Sequence, residues 1–219
     1  MIGALLLLWL GLWTPIGLLV DAGEPPAPQV PSVRVLTWNV LAPTLGERLR
    51  SLVTGRTPKE RARALLAEAQ AQGADILALQ EVSAPFMAAL GADNAWAAYY
   101  RSTSDPGEPP GGLLVLSRYP LTKVAYRPLP SPSGRQVLFV TLDLGGHPLV
   151  VVNAHLESPL AAMSARRAQL DFITARLPHT APWLWMGDFN CGAGNPEAAD
   201  LAPWTDAWAR LIRCARVYL

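Results

Sequence analysis

The 219-residue chain has little cysteine, histidine or lysine, and each scarcity narrows what it can be. Two cysteines, Cys191 and Cys214, fall short of the four thiolates of a Cys-based metal cluster. They are either a pair joined in an oxidising compartment or two unrelated thiols. The only lysines are Lys59 and Lys123, so arginine carries almost all the positive charge; with so much alanine, this is the composition of a GC-rich bacterial gene. A formal net charge of +1 excludes a global attraction to nucleic acid or an acidic membrane, and any polyanion has to be held by a local site. No internal repeat occurs. The G-x-G-x-x-G, Walker A, G-x-S-x-G and H-E-x-x-H patterns are missing too.

What the chain does have is apolar mass. Hydrophobic residues make up 51% of it, which excludes a disordered chain, and the length suffices for one domain with a sizeable core. The opening "MIGALLLLWLGLWTPIGLLV" holds no charged side chain, and Pro-rich "DAGEPPAPQVPS" follows it. Residues 1–22 read as a signal peptide cut after Ala22, or as an uncleaved membrane anchor. No Lys or Arg precedes the run, and Pro15 interrupts it. Secretion or export to the periplasm is the expectation, with anchoring as the alternative. Residues 23–32 form an extended linker, leaving 33–219 as the folded domain.

Within that domain, "VRVLTWNV" (33–40), "DILALQEV" (75–82), "WAAYY" (96–100), "LLVLS" (113–117) and "PWLWMGDF" (182–189) have the apolar, β-rich character of strands. A hairpin is predicted over 135–144 and 147–156, turning on Gly145-Gly146. Residues 57–73 form a helix with a Thr57/Glu60 capping box, Pro58 at its first position, Gly73 at its end and a buried stripe of Ala62, Leu65, Leu66 and Ala69. Ser83 is expected to cap a short helix through Leu90. A further helix spans about 160–177, with Met163, Leu170, Ile173 and Leu177 on one face. The stretch 102–112 is a loop, and one short helix is expected near the C-terminus. Strands outnumber helices and hairpins occur among crossovers, which implies an α/β mixed sheet or two-sheet sandwich, not a parallel array.

Four of these strands end on polar residues: "TWN" at Asn39, "LQE" at Glu81, "NAHLES" at Asn153 and His155, and "GDFN" at Asp188 and Asn190. Singly, each has a structural reading. Asn39 could close an Asx-turn, Glu81 could pair with a surface arginine, His155 could be a core histidine, and Asp188 and Asn190 could serve a turn. Jointly, they suit one chemistry. Glu81 and Asn39 supply the hard oxygens that Mg²⁺ takes, leaving positions for water and a phosphate. His155, Asn153 and Asn190 can donate to a phosphoryl oxygen, and Asp188 can orient or deprotonate a water. That combination points to metal-assisted hydrolysis of a phosphate ester.

In order and spacing, "TWN…LQE…NAHL…GDFN" resembles the endonuclease/exonuclease/phosphatase superfamily over roughly residues 33–208. The resemblance implies a four-layered α/β sandwich of two mixed β-sheets flanked by helices, the deoxyribonuclease-I-like fold, with the site at the common edge of the sheets. It implies cleavage of phosphodiesters or phosphomonoesters with Mg²⁺, or Mn²⁺ in its place. It assigns metal binding to Asn39 and Glu81, phosphate contact to Asn153 and His155, and nucleophile positioning and transition-state stabilisation to Asp188 and Asn190. The substrate is a phosphate ester, nucleic acid or lipid phosphodiester included; no protein partner is implied. "HLES" followed by "RRAQL" (166–170), and "TDAW" (205–208), look most like the tyrosyl-DNA phosphodiesterase branch. "WNVLAP" (38–43) is similar to the deadenylase branch, whereas an exported chain fits secreted nucleases and sphingomyelinase-type enzymes.

The superfamily also carries a later S-D-H strand whose histidine is the expected general base, and none of the three histidines here lies beyond residue 179. The expectation is therefore a C-terminally incomplete sandwich with weak or no turnover. It would be a fragment of a working enzyme, or else a non-catalytic remnant that at most binds phosphate-bearing ligands.

Overall fold

A computed structural model describes residues 32–42, 57–158, 160–191, 195–201 and 203–205. The candidate signal or anchor (1–22), nearly all of the linker, Cys214 and the C-terminal helix lie outside these residues. Among the described residues, no helix is long and apolar enough to cross a membrane.

Among the described residues, eight strands form two four-stranded sheets. The first, in the order β1-β2-β4-β3, contains Val35–Asn39, Ile76–Gln80, Leu114–Ser117 and Tyr100–Arg101. The second runs in the order β5-β6-β7-β8, with Leu121–Pro128, Gln136–Asp143, Pro148–His155 and Trp183–Asp188. Both sheets are mixed. β1 and β2 are parallel, as are β7 and β8, while the remaining pairs are antiparallel. A parallel pair needs a crossover, supplied here by helices α1 (Pro58–Ala71) and α3 (Met163–Thr174). This topology puts the C-terminal ends of both strands of a pair at one edge. Asn39 pairs with Gln80, one residue before Glu81, and His155 pairs with Asp188.

Side chains alternate between the two faces of each sheet, and the alternation sorts the core into layers. Val35, Ile76, Ala78 and Val115 of the first sheet meet Leu138, Val140, Val151, Leu184 and Met186 of the second. Leu36, Leu77, Leu79, Leu114 and Leu116 face outward against α1 and α2 (Ala84–Gly91), and Val152, Ala154 and Trp185 face α3. The result is a helix–sheet–sheet–helix sandwich. By the same parity, Asn39, Asn153, His155 and Asp188 lie on the inter-sheet faces. The edge strand β5 carries exposed Lys123 and Arg127, charges that discourage a second chain from pairing there.

Several expectations hold to the residue. The capping box of α1 is closed in both directions, with Glu60 N–H donating to Thr57 Oγ1 at 3.2 Å and Thr57 N–H to Glu60 Oε2 at 2.7 Å. The predicted hairpin turns on Gly145 and Gly146. Others need correction. "WAAYY" starts on the last residue of a 3-10 helix, Asn94–Trp96, and continues as a turn that packs Trp96 and Tyr99 against α2, so only Tyr100 enters β3. Ser83 sits at the N-cap position of α2 without making a capping bond. α3 buries Leu170 and Ile173, with Leu177 in the turn beyond, but Met163 is exposed because it opens the helix outside the packed stripe. Strand β5 carries no apolar alternation in the sequence, because most of its side chains are exposed.

Gly187, between Met186 and Asp188, has φ +147°, and a Cβ there would lie 1.9 Å from the carbonyl oxygen of Ala154. The glycine permits close approach of β7 and β8 where both deliver site residues. Gly187→Ala should lower the unfolding free energy by roughly 3 kcal/mol or more, measured by denaturant unfolding; a change within about 0.5 kcal/mol would contradict the close approach.

Candidate active site

Asn39 joins the two sheets at their shared edge. Its Nδ2 donates to Glu81 Oε1 at 2.8 Å and to Asp188 Oδ2 at 2.9 Å, so one amide holds carboxylates from different sheets together. Ionised carboxylates only accept, which fixes nitrogen on that side of the amide. Its Oδ1 accepts from Leu41 N–H at 2.9 Å, so the Asx-turn is present alongside the bridge. Glu81 Oε2 accepts from Ala42 N–H at 3.0 Å. Arg61 of α1 steadies this segment by donating to the carbonyls of Val40 and Leu41.

Among the described residues, the non-glycine positions with positive φ are Leu41 (54°), Glu81 (56°) and Asn190 (50°), and all of them border this edge. Left-handed backbone is unfavourable for side chains such as Leu and Glu, and its concentration here is backbone strain held at one site. Gly112 backs the Glu81 turn. Its carbonyl accepts from Val82 N–H at 2.9 Å, and a Cβ on it would lie 3.2 Å from Glu81 Cα.

His155 is 2% exposed, at the end of β7. Its Nε2 lies 3.8 Å from Glu81 Oε1 and 3.7 Å from Asp188 Oδ2. Its Nδ1 lies 2.9 Å from Nη1 of Arg135. Burial first, and the Arg135 charge second, push the imidazole below its ordinary 6.5; Asp188 and Glu81 pull the other way without prevailing. Burial and the Arg135 charge thus both favour the neutral ring. Asp188 Oδ1 accepts from Asn190 N–H at 3.0 Å, and Asn190 Nδ2 donates to the Leu156 carbonyl at 2.9 Å. Asn190 thus ties the β8 exit to the β7 exit.

Asn153 stands apart from the other predicted residues. It is fully buried between the sheets, with Nδ2 donating to the carbonyls of Leu79 (2.9 Å) and Leu114 (3.1 Å) and Oδ1 accepting from Gln80 Nε2 (2.8 Å). Its polar atoms are engaged inside the core and do not reach the open edge. Asn39, Glu81, His155 and Asp188 come together, with Asn190 adjoining.

Other residues of this region escape motif reading. Arg135 is one, and its only sequence signal is a charge directly before the strand that pairs with the histidine strand. Glu157 of "HLES" is another. It is 2% exposed, and its Oε1 accepts from Ser131 Oγ, from Ser133 Oγ at 2.7 Å and from Ser133 N–H at 3.2 Å. Gln169 and Arg166 of α3 hold its backbone at 3.1 Å and 3.0 Å, and Arg166 forms a buried ion pair with Glu197 at 2.6 Å.

A divalent cation fits this donor set. Glu81 and Asp188 are partly exposed, and among the described residues neither has a lysine or arginine partner. The positive edge of the Asn39 amide stands between the two anions, where a divalent charge would stabilise them more strongly. Among the described residues, no group of three His, Cys, Asp or Glu converges as a metal cage. The candidate is thus an open site of two carboxylates, the kind Mg²⁺ shares with water and phosphate.

Fold and donor set together describe a phosphoric ester hydrolase. Residues 36–214 match the model of the Endonuclease/Exonuclease/phosphatase family, and the chain belongs to that family. No curated protein sequence matches it. Among solved structures, humanized D. rerio TDP2 bearing 14 mutations superposes with a TM-score of 0.64 at 20% identity, covering 83% of this chain and 77% of that one. D. rerio TDP2 complexed with single strand DNA product gives 0.64 at 20% identity, with 83% and 70% covered. Sphingomyelinase C from Streptomyces griseocarneus gives 0.59 at 22% identity, with 78% and 69% covered. These likenesses establish the fold.

Although burial favours the neutral acid, the bonds from Ser131 and Ser133 and the nearby Arg135 hold the Glu157 carboxyl below its ordinary 4.5. The ionised clasp stabilises the fold above that ordinary value, and the contribution disappears as pH falls through the lowered folded value. Glu157→Gln should cost about 1–2 kcal/mol at neutral pH, the gap to wild type closing in acid. A gap in melting temperature that stays constant down to acid unfolding would contradict this.

Proposed function

We propose that this protein is a Mg²⁺-dependent phosphodiesterase, with Mn²⁺ able to substitute, acting on a nucleic acid or lipid phosphodiester. The observation that carries the reading is the meeting of Asn39, Glu81, His155 and Asp188, from four strand ends and two sheets, at one open edge. Glu81 and Asp188 would hold the metal, and Asn39 would join them by turning its amide oxygen inward in place of the nitrogen that now bridges the two carboxylates. Its chemistry there would be to neutralise charge on a phosphoryl oxygen and to lower the pKa of a water. Asp188 is placed to orient the attacking water, and Asn190 keeps Asp188 in place. His155 donates from Nε2 to a phosphoryl oxygen as charge develops.

Among the described residues, His155 is the only imidazole at the site, and its Nδ1 is taken up by Arg135, away from the edge. His147 lies in the β6–β7 turn and His179 follows α3. Among these groups, deprotonation of water falls to Asp188. A non-catalytic, phosphate-binding role is the second reading, favoured by the Asn39 amide nitrogen that stands between the two carboxylates where a catalytic metal would sit. The "HLES…RRAQL" pattern supports a tyrosyl-DNA phosphodiesterase-like substrate. The apolar run at 1–20 supports export or an anchor and, with it, an extracellular nuclease or sphingomyelinase-type role.

Hydrolysis of bis(p-nitrophenyl) phosphate should be measurable with Mg²⁺ and abolished by EDTA. Glu81→Gln and Asp188→Asn should each reduce it on the order of 10²–10³-fold. Turnover that persists in EDTA, or in either variant, would sink the proposal. Phosphate binding with no hydrolysis in wild type would select the second reading.

A further inference from the structure

Arg135 has an unusual place beside His155. It lies in the β5–β6 connection with its backbone fixed: its N–H donates to Ser131 Oγ at 2.9 Å, and its carbonyl accepts from Leu129 N–H at 2.9 Å. Among the described residues, its guanidinium forms no ion pair, and its buried Nε finds no acceptor. An arginine placed for stability would have both, since an unsatisfied buried donor costs free energy. What it does have is Nη1 at 2.9 Å from His155 Nδ1 and a long bond from Nη2 to Ser158 Oγ at 3.5 Å, so His155 is its one close partner.

A guanidinium has five N–H groups, no acceptor and a permanent charge, so His155 Nδ1 has to accept and the ring proton has to sit on Nε2. The carboxylates near Nε2 do not settle this by themselves, because 3.7 and 3.8 Å are beyond hydrogen-bond length. We propose that Arg135 is the positioning residue that locks His155 as an Nε2–H donor facing the catalytic edge, and that the Ser131–Ser133–Glu157 clasp holds Arg135 in place. A continuous path of bonds supports the second half. Gln169 and Arg166 of α3 grip the Glu157 backbone, the Glu157 carboxylate grips Ser131 and Ser133, and Ser131 grips the Arg135 N–H. The "HLES" and "RRAQ" stretches then act on the site through the β5–β6 loop, without touching substrate themselves. The catalytic meaning of the lock rests on the phosphodiesterase reading; the lock itself does not.

The direct test is the ring-nitrogen NMR spectrum of ¹⁵N-histidine-labelled protein, with His147 and His179 as internal references. Wild type should show His155 protonated at Nε2 and unprotonated at Nδ1. In Arg135→Met, both nitrogens should move toward the averaged positions of the reference histidines, and Arg135→Lys should restore much of the original spectrum. On bis(p-nitrophenyl) phosphate, Arg135→Met should lower kcat by roughly 10–100-fold with much less change in KM. If Arg135→Met does not fold, Ser133→Ala loosens the clasp while leaving the guanidinium, and should shift the His155 resonances part of the way. A protonated Nδ1 in wild type, or an unmoved His155 spectrum in folded Arg135→Met, overturns the lock; an unmoved spectrum in Ser133→Ala overturns the clasp. A wild-type protein that hydrolyses nothing yet shows the Nε2–H tautomer overturns the phosphodiesterase reading and leaves the lock standing.

Discussion

The amide of Asn153 determines how the two sheets face each other. It is sealed from water, and each of its three bonds crosses from β7 to the other sheet. A buried amide that loses its partners carries its whole desolvation cost, so sliding one sheet over the other by a residue is strongly disfavoured. That register brings the β1–β2 and β7–β8 pairs together at their C-terminal ends. The bridge from Asn39 to Glu81 and Asp188 follows from it, because those carboxylates belong to different sheets and meet only in this alignment. Asn153 therefore serves the site as architecture two residues before His155, which faces the same way along the strand.

Around that frame the edge is assembled against local preference. Glu81 and Asn190 adopt left-handed backbone, Gly187 and Gly112 stand where a methyl group would collide, and two carboxylates are held beside each other. Each of these features weakens an isolated segment, and the apolar layers above and below supply the compensating stability. Such a concentration of strain and like charge is what a preorganised site requires, since groups already in place need not reorganise when charge develops.

Much of this was legible in the sequence, for specific reasons. Apolar runs ending abruptly on Asn, Glu, His and Asp mark the strand termini, and the structure turns Asn39, His155 and Asp188 to the inner faces by strand parity while Glu81 reaches the edge through a left-handed turn. The Thr57/Glu60 box and the Gly145-Gly146 turn are local signals that tertiary context did not override. The failures are equally physical. In "WAAYY", aromatic content suggested a strand, but the rings are used to pack a turn against α2. β5 hides because an exposed edge strand lacks an apolar face. Asn153 is read with His155 from one strand ending, "NAHLES", and sequence alone does not show the depth at which its amide is tied across the sheets. Arg135 is invisible because its partner is 20 residues away across a hairpin.

The central claim is that Glu81 and Asp188, delivered by different sheets, form one divalent-cation site. Titration of the metal-free protein with Mn²⁺, followed by electron paramagnetic resonance, tests it without depending on turnover. The account predicts one bound ion per chain, displaced by Mg²⁺, with affinity weakened roughly 10-fold or more by Glu81→Gln and by Asp188→Asn. No bound ion, or binding indifferent to both substitutions, would contradict it.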